Sequence, residues 1–455
     1  MMKNLTEGSP GKLIFKFVLP MLIGNVFQQG SLLIDRMFVG HYVGKTALAA
    51  TGAAMPVIFL LIALIIGITI GGTIVTSQYF GAKDKEQLKK TVDTMLIFLF
   101  FASLFISCIG IIFSEKIFLL MNLKPDVVPQ ATLFMRIYFS GMILLFGLQG
   151  VSGLLRGMGD SKTPLYFLMI ASISTIILDI ILIVILRVGI KGAAISEITG
   201  SGIAFFIAVW YLNKNHEIIK ISFKHLIFDK DIFIKIVKIG LPMGLQQSFV
   251  GLGMAFLVGI VNRFGTSSVA AYSAASQIDS FAALPAMNFS MALATYVGQN
   301  IGANKLHRVK QGLFATWLMT SSVSVFFSIV AWFFGKDLMH IFTSDPEVIR
   351  IGANYLVIVC SFYILFSTMF TFAGVFRGAG DTLIPMFITL FSLWVIRIPV
   401  SYFVSFKLGI NGVWWGIPIA WFFGFMFSIL YYLKGNWKNK SIVKKKVEVI
   451  DLSEN

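Results

Sequence analysis

Charge is what this 455-residue chain has least of: 13% of its residues are Asp, Glu, Lys or Arg, while 57% are apolar. With a mean hydropathy of +0.85, that balance excludes a water-soluble globular protein and assigns most of the length to lipid. Cysteine is nearly absent. Cys108 and Cys360 have no C-x-x-C or Cys/His spacing, which excludes a disulfide framework and a zinc site and leaves them as apolar packing residues. The five histidines (His41, His216, His225, His307 and His340) fall in or beside polar breaks, so no metal constellation is expected. A G-x-x-x-x-G-K-[ST] loop is missing, which argues against a nucleotide cradle. No nucleophile–base pair marks an enzyme.

What is present is a succession of long apolar runs, near 14–40, 46–77, 91–114, 129–153, 164–187 and 192–213, then 236–262, 268–297, 311–334, 348–374, 385–408 and 411–433. Each is long enough to cross a bilayer, which needs ~20 residues, so the expectation is an all-α polytopic membrane protein with twelve transmembrane helices. The first run follows Lys3, Lys12 and Lys16 but is too long for a signal-peptide core, and is read as helix 1.

The net charge of +16 is sorted by loop. With the N-terminus inside, 25 of the 37 Lys and Arg residues fall on the inner side and 9 on the outer. Arg36, Arg136 and Arg397 lie within helices. That asymmetry predicts cytoplasmic termini in the inner (plasma) membrane, with the basic charge facing anionic lipid and not nucleic acid.

The chain also repeats itself. Arg156-Gly157-Met158-Gly159-Asp160 with Pro164 returns 221 residues later as Arg377-Gly378-Ala379-Gly380-Asp381 with Pro385. Gln78, Gly81 and Ala82 return as Gln299, Gly302 and Ala303 at the same offset of 221, and Leu19-Pro20-Met21 as Leu241-Pro242-Met243 at 222. One ancestral half was duplicated. Because six helices is an even number, the halves are parallel repeats forming two lobes. The expected divisions are an N-terminal lobe at 1–213, a polar linker at 214–235, a C-terminal lobe at 236–433, and a loosely ordered basic tail at 434–455. The two R-G-x-G-D turns are read as tight structural or hinge turns, and Pro20, Pro56, Pro242, Pro285 and Pro399 as bends that free backbone carbonyls.

Departures from repetition single out chemistry. Asp35 maps onto Phe256 or Leu257, Asp179 onto Pro399, and Glu197 onto Ile417, so these acids belong to the first half alone. A helical rise of ~1.5 Å per residue places the three at similar depths, ~8 to ~12 Å below the outer surface. A central Asp facing lipid costs about 2.5–3.5 kcal/mol, so they must face a wet cavity, an ion or one another. Such a cluster resists simultaneous ionisation and can carry a proton, or can bind a hard cation through oxygen. Gln28, seven residues before Asp35, and Thr175, one turn before Asp179, are placed to add oxygen ligands. The competing reading pairs each acid with Arg36, Arg136 or Arg187. In the second half, Asp279 and Arg397 are candidates to line a substrate cavity or to pair with each other.

These features together resemble the multidrug and toxic compound extrusion (MATE) transporters: the six-helix repeat, the Gln78-x-x-Gly81-Ala82-Lys83 loop with its copy at Gln299, both R-G-x-G-D turns, and Asp35 with Gly40 ending helix 1. The resemblance implies two lobes around a central cavity, and antiport of small organic, typically cationic amphipathic, compounds against inward-moving H⁺ or Na⁺. No other cofactor is implied, and a monomer suffices. In one family pattern, acids of helices 7 and 10 bind the cation; the matching positions near Val250 and Phe366 are apolar here. In the other, acids of helices 1 and 5 do so, and Asp35, Asp179, Gln28 and Thr175 match it. Glu197 stands where that pattern more often has threonine, and the choice between H⁺ and Na⁺ stays open. The alternative is a lipid-linked oligosaccharide flippase, which needs several cavity arginines; of the helix-borne arginines, Arg397 alone is expected deep.

Overall fold

The computed structural model describes residues 4–215, 220–221 and 226–443. Ten helices are each long and apolar enough to span a membrane: α1 (Pro10–Val43), α2 (Lys45–Gly81), α3 (Lys85–Leu120), α5 (Lys162–Ile185), α6 (Ile190–Asn215), α7 (Lys230–Asn262), α8 (Thr266–Gly302), α9 (Leu306–His340), α11 (Leu383–Leu408) and α12 (Ile410–Lys434). Two further spans are bent pairs, α4 (Val128–Ser140 with Met142–Gly157) and α10 (Pro346–Cys360 with Tyr363–Ala379). The described residues thus form an all-helical polytopic membrane fold of ten spans, or the expected twelve when each bent pair is counted as one span.

The sharp bends, 51° in α4 and 49° in α10, do not fall at the prolines. Pro20, Pro56, Pro242 and Pro285 lie inside unbroken helices. The α4 break is at Gly141, where a Cβ would stand 2.1 Å from Ile198 of α6. Helix crowding dictates this break. Pro399 does leave a mark: it follows π-helical turns over Phe391–Arg397, whose wider winding absorbs the missing N–H.

The two halves meet backbone to backbone. Gly67 and Gly71 of α2 face Gly240 and Gly244 of α7. A Cβ at Gly67 would lie 2.2 Å from the Gly244 nitrogen, and one at Gly240 2.5 Å from the Ile68 Cα. This is a crossed pair of G-x-x-x-G stretches, the packing that lets helices approach where no hydrophobic effect drives them together. Each half also lends the start of its first helix to the other. Ile14, Phe17 and Val18 of α1 belong to a core with Phe289, Leu293 and Phe376. Ile232, Ile236 and Ile239 of α7 belong to the large first-half core.

On the face that carries the chain ends, the repeated glutamines cross between halves. The Gln78 amide donates to the Gly378 carbonyl at 2.9 Å, and the Gln299 amide to the Gly157 carbonyl at 3.0 Å. Gln299 in turn accepts from the Leu5 N–H at 2.9 Å, and Gln78 from the Ile442 N–H at 2.9 Å. The tail thus departs from the expectation of looseness as far as residue 443: Trp437 is buried and Ile442 is bonded. Residues 444–455 of that tail lie outside the described residues. The expected linker is helical in its last residues, since α7 begins at Lys230 with Asp229 accepting from the Ile232 N–H at 3.0 Å. It is also tied to the first half, Lys89 donating to the Lys220 carbonyl at 2.9 Å.

Candidate cation and substrate sites

The close seating of α6 on α5 is set by small residues one turn apart. Gly192, Ser196 and Gly200 form a strip on α6; a Cβ at Gly200 would lie 2.3 Å from the Thr175 Oγ1, and one at Gly192 3.1 Å from Ile183. That contact brings Ser196 beside Asp179. Asp35 lies within electrostatic reach of Asp179, and both lie within reach of Glu197. Thr175 joins them through its hydroxyl, which donates to the Ser196 carbonyl at 3.5 Å.

Asp179 is 0% exposed, and neither of its carboxylate oxygens has a hydrogen-bond partner among the described residues. Ser196 lies beside it, but its hydroxyl is committed to the Gly192 carbonyl at 2.9 Å. One oxygen of Asp35 is likewise enclosed and unpartnered. Glu197 receives a long hydrogen bond, 3.5 Å, from the Tyr138 hydroxyl of α4. No ion pair joins an arginine to these acids among the described residues: Arg36 acts on Asp35 through its charge alone, and Arg136 turns to Glu115 at 3.4 Å. Both aspartates precede π-helical turns, at Val39–Val43 and Ile180–Ile185, where the Gly44 N–H reaches the Val39 carbonyl and the Leu186 N–H the Ile181 carbonyl. Such wider turns loosen the helix beside a site. Gln28 is exposed, and among the described residues no hydrogen bond ties it to the cluster.

A second polar cluster occupies the other half. Asp279 accepts hydrogen bonds from Tyr355, at 3.2 Å, and from Tyr363. Arg397, 7% exposed, lies within electrostatic reach of Asp279 and has an unpartnered Nε. Tyr272 stacks on Trp414 with centroids 5.6 Å apart, and Tyr355 meets the same indole edge-on at 5.0 Å. Sequence reasoning missed Tyr138, Tyr355 and Tyr363, whose partners are 59 or more residues away. Their only signal was tyrosine inside an apolar span, a side chain that needs a partner for its hydroxyl when buried.

Ten to twelve membrane-long helices arranged as a repeat, joined across one face and enclosing acids unpaired among the described residues, are the architecture of a membrane transporter. The MatE family signature matches residues 20–181 and, a second time, 242–403, so the chain belongs to the MatE family of transporters and is not an enzyme. It is 30% identical to YpnP of Bacillus subtilis, described as a "probable multidrug resistance protein", over 97% of this chain and 99% of YpnP. YoeA of the same organism, described in the same words, is 31% identical over 94% of each chain. Among solved structures, the outward-facing conformation of a multidrug resistance MATE family transporter of the MOP superfamily matches with a TM-score of 0.89 at 23% identity, covering 97% of this chain and 98% of that one. That likeness establishes the shared fold.

Proposed function

We propose that this protein is a multidrug exporter that expels organic amphipathic compounds, cationic ones included, in exchange for an inward-moving H⁺ or Na⁺ by alternating access. The observation that carries the reading is Asp179: a fully enclosed carboxylate in a membrane span, with both oxygens unpartnered among the described residues and two further acids in electrostatic reach. An isolated ionised carboxylate at such a place is strongly unfavourable, so the site must hold a proton or a cation. Asp35, Asp179 and Glu197 take the cation, with Thr175 and Gln28 as further oxygens. Asp279 and Arg397 contact substrate on the other side of the cavity.

The lobes 1–213 and 236–433 rock against each other about the linker at 214–235, with the face bearing the termini in the cytoplasm. A tenfold ion gradient supplies ~1.4 kcal/mol, and one charge crossing 100 mV adds ~2.3 kcal/mol. Exchange of one monovalent cation for another moves no net charge, whereas a neutral or zwitterionic substrate gains the full ~3.7 kcal/mol, roughly 500-fold accumulation. The relatives named as multidrug resistance proteins support small organic cargo over the lipid-linked oligosaccharide of a flippase.

Dye efflux from energised vesicles tests the proposal, with Na⁺ and proton gradients imposed separately on wild type, Asp35→Asn and Asp179→Asn. One gradient should drive the wild type while both variants bind dye and stall. Normal pumping by both variants would sink the site assignment.

A further inference from the structure

The repeated R-G-x-G-D turns do more than turn the chain. The helices run on to Gly157 and Ala379, which puts Arg156 and Arg377 in the last helical turns of α4 and α10 instead of in loops. Both arginines line one narrow cavity between the halves, whose empty space, mouth included, is about 460 Å³. The cavity repeats the pseudo-symmetry of the chain, with Ile70, Thr73 and Ile74 facing it from α2 and their counterparts Met291, Ala294 and Thr295 from α8.

Neither arginine has a counter-ion among the described residues. The ion pairs among the described residues are Lys89–Asp93, Lys90–Glu86 and Arg136–Glu115, and none involves this cavity. The Nε of Arg156 and the Nε of Arg377 are both enclosed without an acceptor. Arg377 is 9% exposed, and among the described residues its side chain makes one hydrogen bond, a long one of 3.5 Å from Nη2 to the Gln246 Oε1. Burial strips hydration from both guanidinium groups, a cost that a negative group bound between them offsets. Guanidinium forks match the geometry of carboxylate and phosphate oxygens, and the Ile70 and Met291 walls suit a hydrocarbon.

We propose that the Arg156–Arg377 cavity binds the anionic head, a carboxylate or phosphate, of the transported amphipath. This deepens the export reading and rests on it for the word "transported": the cargo then includes amphipaths with an anionic group, zwitterions among them, and extends beyond simple cations. Gly157 and Gly378, the residues after the two arginines, receive the crossing bonds of Gln299 and Gln78, so an anion here sits directly against the closure between the halves.

The test is equilibrium binding, without any gradient, to the full chain in phosphatidylcholine nanodiscs. The probes are dansyl-aminoundecanoate and its uncharged methyl ester. The wild type should prefer the carboxylate by roughly tenfold or more, as for a charge-assisted hydrogen-bond pair. Arg156→Gln and Arg377→Gln should each lose most of that preference while ester affinity stays constant, and Arg156→Lys and Arg377→Lys should keep part of it. The constant ester affinity certifies that the variants are folded. Equal binding of acid and ester by the wild type, or an undiminished preference in both Gln variants, overturns the proposal. Displacement of the probe by added phosphatidylglycerol assigns the cavity to a lipid headgroup and overturns its role in cargo binding; insensitivity to that lipid supports a dissolved solute. A chain that shows the charge preference but no gradient-driven flux contradicts the antiport reading and leaves the anion site standing.

Discussion

The side-chain amide of Gln78 reaches across the interface to the Gly378 carbonyl at 2.9 Å, and the pseudo-symmetric bond from Gln299 to Gly157 has nearly the same length, 3.0 Å. The motif that marks the repeat in sequence is thus the motif that joins the halves. Around it the backbones almost touch: a Cβ at Gly81 would stand 2.0 Å from the Gln299 carbonyl oxygen, and one at Gly302 2.0 Å from that of Gln78.

These crossing bonds should hold one face shut. Each is worth ~1 kcal/mol net, or about fivefold in a two-state population. Gln78→Leu should widen the distance distribution between spin labels placed on the two halves at the face bearing the termini, and Gln78→Leu with Gln299→Leu should widen it further. Unchanged distances in the double variant would show that glycine packing alone closes this face.

The G-x-x-x-G crossing should tolerate no added methyl. Gly71→Ala puts a Cβ 2.5 Å from the Ile236 carbonyl oxygen, and Gly244→Ala one 2.6 Å from the Leu64 Cα. Overpacking of this kind costs about 1–3 kcal/mol, so both should lower the thermal midpoint of the purified protein. Gly30→Ala is the control, because its Cβ would meet nothing within 4 Å and should leave the midpoint unchanged or slightly raised.

The Asp279 cluster is a polar network in an apolar half. Tyr363→Phe leaves Asp279 with Tyr355 as its remaining hydroxyl donor. A buried acceptor left short of a partner costs about 1–3 kcal/mol, which a thermal melt resolves. Gradient coupling should persist in this variant, since the first-half acids are untouched; loss of coupling without loss of stability would move Asp279 into the cation pathway.

The spacing of α5 and α6 should control the cation site without touching an acid. Gly200→Val drives a side chain into Thr175, whose Oγ1 lies 2.3 Å from the position of the first added carbon. Separating the helices pulls Glu197 from Asp179, so the cation dependence of flux should fall severalfold more than dye affinity does. An equal loss of both would point to general misfolding.

Much of this was readable in the sequence because duplication supplies an internal control. Asp35, Asp179 and Glu197 stood out as departures from their second-half counterparts, and helical rise alone aligned their depths. Contacts between distant segments were not readable. Nothing near Tyr138 signals Glu197, and the crossed glycines Gly67, Gly71, Gly240 and Gly244, though visible as a pattern, do not name their partners. Arg156 and Arg377 were hidden for a different reason. They end apolar runs, so hydropathy assigns them to loops, whereas one more helical turn carries both guanidinium groups into the cavity. Proline misled in the opposite sense, because α4 breaks where Gly141 is crowded by Ile198, and neither α4 nor α10 breaks where a ring removes an N–H.

The most direct test of the central claim counts cations against cargo. In proteoliposomes with no imposed ion gradient, an outward dye gradient should drive H⁺ or Na⁺ in the opposite direction at a fixed ratio, measured together by an internal pH indicator, tracer Na⁺ and dye fluorescence. Wild type should show that counterflow, and Asp179→Asn should abolish it while dye still binds. Dye movement with no cation flux of either kind in the wild type would contradict antiport, and with it the role assigned to the first-half carboxylates.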